Sequence, residues 1–214
     1  RDRNKPSGIS SGEFIRKLKP IIDNSKVGHS GTLDPLASGI ILACIGQMTR
    51  FTNYLANEKK VYIAEMKFGF STDTGDLDGK IIERINKIPS KIDFKKILKE
   101  FIGRTDQEAP KFSSLKHKGK PLYFYARLNK KVPKKIRPVD ISKLELISVS
   151  DDTFKFLVEC GKGTYIRSLV RDIAENLSCA AVLSKLQRTV SANHSLEDAH
   201  EIENLNDKNI KKKI

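Results

Sequence analysis

A 214-residue chain with 38% hydrophobic residues can bury a core, which excludes wholesale disorder and suits one domain or one domain with a small appendage. Lysines and arginines outnumber carboxylates 40 to 26, and the formal net charge of +14 points to a polyanion, either nucleic acid or an anionic membrane surface. No apolar run approaches the ~20 residues that span a bilayer, and Arg1-Asp-Arg-Asn-Lys-Pro lacks the apolar segment of a signal peptide, so nucleic acid leads.

In chain order, Ser10 and Glu13 have the spacing of a capping box, and Phe14, Ile15, Leu18, Ile21 and Ile22 follow at helical period. Residues Gly28 to Gly39 are too rich in glycine, with an Asp-Pro step, to be helix. The apolar run Ile40 to Ile45 predicts a buried strand, and Met48, Phe51 and Leu55 predict a helix after it. Tyr62, Ala64, Met66, Phe68 and Phe70 alternate as a strand; Asp76-Leu-Asp-Gly79 is a turn, with a returning strand from Lys80 to Glu83. An amphipathic helix is expected over Ile92 to Ile102, stopped by Gly103. Two strands, 138–150 and 153–160, flank Asp151-Asp152, and Ile166, Leu169, Val170, Ile173 and Leu177 mark a further helix. This mixture, with its antiparallel hairpins, predicts an α+β fold.

Cys44, Cys160 and Cys179 are odd in number and form no Cys-x-x-Cys pair, so they read as reduced core thiols. The four histidines show no zinc-ligand spacing, and no metal is expected. Gly161-Lys-Gly-Thr164 lacks the Ser or Thr that a phosphate loop needs directly after its lysine. Asp73, Asp76 and Asp78 fail the register of a calcium loop, which would put Ile85 where the bidentate Glu belongs.

Charge is uneven along the chain. Between Glu108 and Asp140 there is no carboxylate, but there are ten bases, among them Lys111, Lys116, Lys118, Lys120 and Arg127. Phe112, Tyr123, Phe124 and Tyr125 are interleaved with them. Such a stretch suits a phosphate backbone and stacked bases. A solvated basic face with core aromatics has the same composition, and one sequence does not separate the two.

Taken alone, Asp34 before Pro35 is a turn residue. The whole segment Gly28-His-Ser-Gly-Thr-Leu-Asp-Pro-Leu-Ala-Ser-Gly39, however, resembles the signature loop of the TruB family of tRNA pseudouridine synthases, with Ser-for-Thr exchanges at Ser30 and Ser38. Further blocks match in the family's order: Lys5-Pro-Ser-Gly-Ile-Ser-Ser11, Lys60-Val-Tyr62, Thr72-Asp-Thr-Gly-Asp-Leu-Asp-Gly79, Ser113 through Arg127, Lys162-Gly-Thr-Tyr-Ile-Arg167 and Leu183-Ser-Lys-Leu-Gln-Arg-Thr189. The likeness covers roughly residues 4 to 190.

The resemblance implies a pseudouridine synthase fold, a mixed and mainly antiparallel sheet flanked by helices with RNA-binding loops. Residues 1–190 would be the catalytic domain and 191–214 a short extension, with a helix near 195–204 and a basic tail at Lys211 to Lys213. The implied reaction isomerises uridine at position 55, in the TΨC loop of tRNA, without a cofactor. Asp34 would be the catalytic carboxylate, as nucleophile or as base for the 2′ proton. Arg167 would pair with it and Tyr62 would stack on the target uracil; their bland readings are a surface helix arginine and an inward strand aromatic. His29 would enter the space left by the flipped base, Asp76 would bond Arg167 and the base, and Tyr165 and Leu186 would line the uracil pocket. Lys116 lies in a family block and would bind RNA.

Two departures stand out. Asn4 replaces the usual Asp before Lys5-Pro6, with the strand upstream of it expected to be missing, and the further C-terminal RNA-binding domain of many relatives is expected to be lacking as well. The expected protein is a cytoplasmic monomer. Rival readings are a tRNA chaperone that needs no chemistry and a guide-dependent synthase acting on ribosomal RNA.

Overall fold

The computed structural model describes residues 2–23, 25–128, 130, 131 and 134–200. The chain begins with β1 (Asp2–Lys5), α1 (Ser11–Leu18), β2 (Val27–Ser30), β3 (Ser38–Ile45), α2 (Thr52–Asn57) and β4 (Lys60–Phe68). It continues with β5 (Phe70–Thr72), β6 (Ile81–Arg84), α3 (Lys91–Glu100), β7 (Gly103–Glu108), β8 (Lys116–His117), β9 (Lys120–Pro121) and α4 (Leu122–Arg127). The last elements are β10 (Ile136–Ser150), β11 (Thr153–Cys160), α5 (Ile166–Asn176), β12 (Ala181–Ser191) and β13 (His194–Ser195). This is the expected α+β content. Among the described residues, no helix is long and apolar enough to cross a membrane.

The chain divides into two compact units, Arg1–Ile63 with Lys185–Ile214, and Ala64–Ser184, so β4 and β12 run from one into the other. In the first, β3 is central. It pairs antiparallel with β1 (Lys5↔Gly39) and β2 (Ser30↔Leu42), and parallel with the end of β12 (Arg188↔Gly39), which makes the sheet mixed. Ile40 to Cys44 are all buried, which is why this strand is a continuous apolar run rather than an alternation. The Ser10 cap forms as expected: its Oγ accepts from the Glu13 N–H at 3.1 Å, and Phe14 and Leu18 bury fully.

The second unit carries β4, β11, β10 and β7 in that order, with β10 antiparallel to both neighbours. Phe68, Phe94, Phe154 and Phe156 meet edge to face at centroid distances of 4.9–6.3 Å, so the β4 and β11 alternations and the buried stripe of α3 converge on one cluster. Buried Leu169, Val170 and Ile173 supply the inner face of α5.

Several expectations change. The strand thought missing ahead of Lys5 is present as Asp2–Lys5, because the edge of β3 offers its backbone a partner. The helix read from Met48, Phe51 and Leu55 forms as a 3-10 turn (Gly46–Phe51) running into α2, yet Met48 and Phe51 remain exposed. It is held by polar bonds instead: Thr49 and Thr52 hydroxyls donate to carbonyls three residues back, and buried Lys60 donates to Ala56 O at 2.7 Å and to Glu58 O. Strand β7 (Gly-Arg-Thr-Asp-Gln-Glu) is too polar to show an apolar period and exists through its pairing with β10. Of the short helix expected near 195–204, the described part holds a 3-10 turn at Leu196–Asp198; residues 201–204 and the basic tail lie outside the described residues.

Candidate active site

The turn bearing Asp34 belongs to the first unit and is tied down from several directions. Buried Ser11 at the start of α1 makes two bonds to Leu33: its Oγ accepts from Leu33 N–H and donates to Leu33 O, both at 2.8 Å. Ser7 Oγ donates to Leu36 O at 2.8 Å, the Gly8 N–H to Pro35 O at 2.8 Å, and Ala37 N–H closes the turn on Asp34 O at 3.0 Å. Leu33 and Ala37 are buried on either side of half-buried Asp34, so their apolar side chains anchor the turn.

Two fully buried cations complete this support. Lys5 Nζ donates to Pro6 O at 2.8 Å and to Pro35 O at 3.3 Å. Burial pushes the Lys5 ammonium down to about 8, against the opposing pull of the Asp34 carboxylate, with Arg188 adding repulsion. Arg188 Nε donates to Ile40 O at 2.8 Å and its Nη2 to Gly31 O at 3.0 Å, one carbonyl on each side of the Asp34 turn. Planar guanidinium suits such two-point contact, and carbonyl dipoles offset part of its desolvation.

In the second unit Arg167 is 5% exposed, which removes the reading of a surface helix arginine. Its Nη1 donates to Thr74 O at 2.8 Å, its Nη2 to Phe112 O at 2.9 Å, and its Nε stands 3.8 Å from Asp76 Oδ2. Asp76 is buried too, and its Oδ1 accepts from Thr74 Oγ1 at 2.5 Å and Asp78 N–H at 3.2 Å. The expected Arg167–Asp76 pair is therefore formed within one unit.

Asp34, His29, Tyr62 and Leu186 lie in the first unit; Arg167, Asp76, Tyr165 and Lys116 lie in the second. Tyr62 is on the buried face of β4 and Leu186 is buried on β12. Half-buried His29 has a buried Nδ1 with no hydrogen-bond partner among the described residues, and burial, with repulsion from Arg188, lowers its pKa and so favours the neutral ring. Cys44, Cys160 and Cys179 are all buried, in keeping with their reading as core thiols. Sequence reasoning did not single out Lys5, Ser11, Gln107 or Arg188. Lys5, Ser11 and Arg188 lay inside quoted motifs, and Gln107 carried no signal.

A family model described as TruB family pseudouridylate synthase (N terminal domain) matches residues 19–166. The chain belongs to that family. A tRNA pseudouridine synthase B of Francisella philomiragia is 41% identical over 213 residues, 99% of this chain and 70% of that protein. The tRNA pseudouridine synthase B of Clostridium kluyveri is 37% identical over 99% of this chain and 73% of its own length. Among solved structures, a chain of a Cbf5-Nop10-Gar1 complex is 26% identical with a TM-score of 0.73, and one from an H/ACA RNP bound to a substrate RNA containing 2′-deoxyuridine is 24% identical with a TM-score of 0.72. This chain spans about half the length of each, 52% and 51%. The expected pseudouridine synthase fold is borne out.

In this TruB family chain the acid-free stretch presents two of its four aromatics outward. Tyr123 and Phe124 on α4 are exposed, the Lys120 ammonium lies 4.4 Å from the Phe124 ring centroid, and the Arg127 guanidinium lies 5.5 Å from that of Tyr123. Lys116 is exposed on the β8–β9 hairpin, whose tip, Lys118-Gly119, takes positive φ at both residues. Tyr125 instead braces this hairpin, its hydroxyl donating to His117 O at 3.1 Å.

Proposed function

We propose that this chain isomerises uridine to pseudouridine in tRNA, at position 55 of the TΨC loop, with Asp34 as the catalytic carboxylate. The observation that carries this reading is the Asp34 turn. A half-buried carboxylate on a turn fixed by Ser7, Gly8, Ser11, Lys5 and Arg188 is pre-positioned for a reacting sugar, at no ordering cost when RNA binds. In the reaction the C1′–N1 bond breaks and a C1′–C5 bond forms, while C5 loses a proton and N1 gains one. Bond made replaces bond broken, so no cofactor takes part. Asp34 attacks covalently or removes the 2′ proton, and both roles use the same position beside C1′.

An internal uridine must leave its stack before C1′ is reachable. The neutral, flat His29 ring suits the vacated space, since inserting an uncharged ring costs less desolvation than inserting an imidazolium. Tyr62 stacks on the uracil and assists proton loss from C5. Arg167 and Asp76 act as a bonded unit toward the carboxylate and the base, with Tyr165 and Leu186 as pocket walls. Lys116 and the outward aromatics of the acid-free stretch hold phosphates and bases. We place the enzyme as a monomer in the cytoplasm, with 1–190 the catalytic part.

The roughly 40% identity to proteins named tRNA pseudouridine synthase B supports tRNA over a guide-dependent ribosomal RNA role, for which the structural likeness stands at 24–26%. Incubation with an unmodified tRNA transcript, followed by mapping of pseudouridine, tests the proposal. Pseudouridine at position 55 is the expected result. Refolding of the transcript without modification would instead favour the chaperone reading.

A further inference from the structure

We infer that Gln107 is a positioning residue for the pocket that Tyr165 and Arg167 help to build; this rests on the proposed function. Gln107 lies near the end of β7 and is 2% exposed. Its carboxamide meets the backbone of Tyr165 at two points: Oε1 accepts from the Tyr165 N–H at 2.8 Å, and Nε2 donates to Tyr165 O at 3.2 Å. The amide thus imitates a strand neighbour for a single residue, the one that immediately precedes α5. Tyr165 has extended backbone (φ −99°, ψ 114°), and no side chain caps the helix there. Its carbonyl also accepts the first helical bond, from Leu169 N–H at 3.0 Å.

Two residues on, Arg167 reaches Thr74 O and Phe112 O from the first turn of α5. The backbone angle at which the chain enters α5 sets where the Tyr165 ring and the Arg167 guanidinium stand. A second bond joins the same strand and helix, from Ser168 Oγ to Glu108 O at 2.7 Å, but it does not touch Tyr165. Gln107 therefore orients, while Ser168 only fastens. Only a side chain carrying donor and acceptor in one plane can serve both Tyr165 groups.

The test compares three variants on unmodified tRNA with melting measured alongside. Gln107→Leu should lower kcat by about 10²-fold, the size of effect expected from a misplacement of about 1 Å, with KM for tRNA within roughly threefold of the parent. Ser168→Ala should lower the melting temperature by a comparable few degrees and keep kcat within about threefold. Gln107→Glu supplies the discriminating readout. A protonated carboxyl presents the same donor and acceptor as the amide, whereas a carboxylate opposes the Tyr165 carbonyl, and burial raises such a carboxyl's pKa. Its kcat relative to the parent should therefore fall as the pH is raised from about 6 to about 9. A Gln107→Leu enzyme with kcat within threefold of the parent, a Ser168→Ala loss as large as that of Gln107→Leu, or a pH-independent ratio for Gln107→Glu would overturn the assignment. Absence of pseudouridine from the parent enzyme itself would instead overturn the proposed function, and this inference with it.

Discussion

A Cβ added to Gly39 would stand 2.2 Å from the main-chain oxygen of Arg188, its parallel partner on β12. Gly39 also has φ of +110°, a conformation that L side chains rarely adopt. The glycine closing the Asp34 segment is thus required by the sheet that anchors it. Gly39→Ala should lower the melting temperature by at least ~10 °C, through a loss of ~4 kcal/mol or more. Calorimetry showing a shift of only one or two degrees would refute the close approach.

Lys5 makes stability depend on alkaline pH. Its folded pKa, about 8, lies below the unfolded value of 10.5, so across that window the unfolded chain binds more protons than the folded one. Stability contributed by this group accordingly rises from about pH 8 to about pH 10.5. Relative to Lys5→Met, which cannot titrate, the parent should gain on the order of 3 kcal/mol over that range. Urea unfolding of both proteins at several pH values measures the difference, and parallel curves would count against a buried ammonium.

Replacing Asp34 by Asn keeps shape and removes charge. Turnover should fall by at least ~10⁴-fold, as when a nucleophile or an essential base is lost. Affinity for tRNA should change by less than about tenfold, because positioning rests mainly on phosphate contacts. Single-turnover assays and filter binding separate the two, and near-parental turnover would move the chemistry to another residue.

Arg167→Lys retains the charge but not the fork that reaches Thr74 O and Phe112 O together. Turnover should drop by about 10²-fold with the circular dichroism spectrum unchanged. A fully active Lys variant would show that charge alone suffices at this position.

The β8–β9 hairpin offers a test of RNA binding that leaves the pocket alone. Replacing Lys116, Lys118 and Lys120 together by Gln should flatten the log–log salt dependence of tRNA affinity by about 2 and raise KM, with little change in turnover at saturation. The Lys120 contact with Phe124 is lost as well, so part of the effect comes from a less ordered stacking surface. An unchanged slope would mark this stretch as an ordinary solvated face.

What the sequence determined by itself is local. The Ser10 cap, the alternation of Tyr62 to Phe68, the Asp151 hairpin turn and the non-helical Asp34 segment follow from interactions spanning a few residues, which a one-dimensional pattern records. The motifs also pointed to Arg167 and Asp76, and these two do meet. Tertiary structure alone decided the burial of Arg167, the clamp of Arg188 on Gly31 across 157 positions and that of Gln107 on Tyr165 across 58. It also made strands of β1 and β7, which lack any apolar period, by lending them the free edges of β3 and β10. Buried polar groups must find partners wherever the folded chain supplies them, and distance along the sequence carries no trace of which partner that will be.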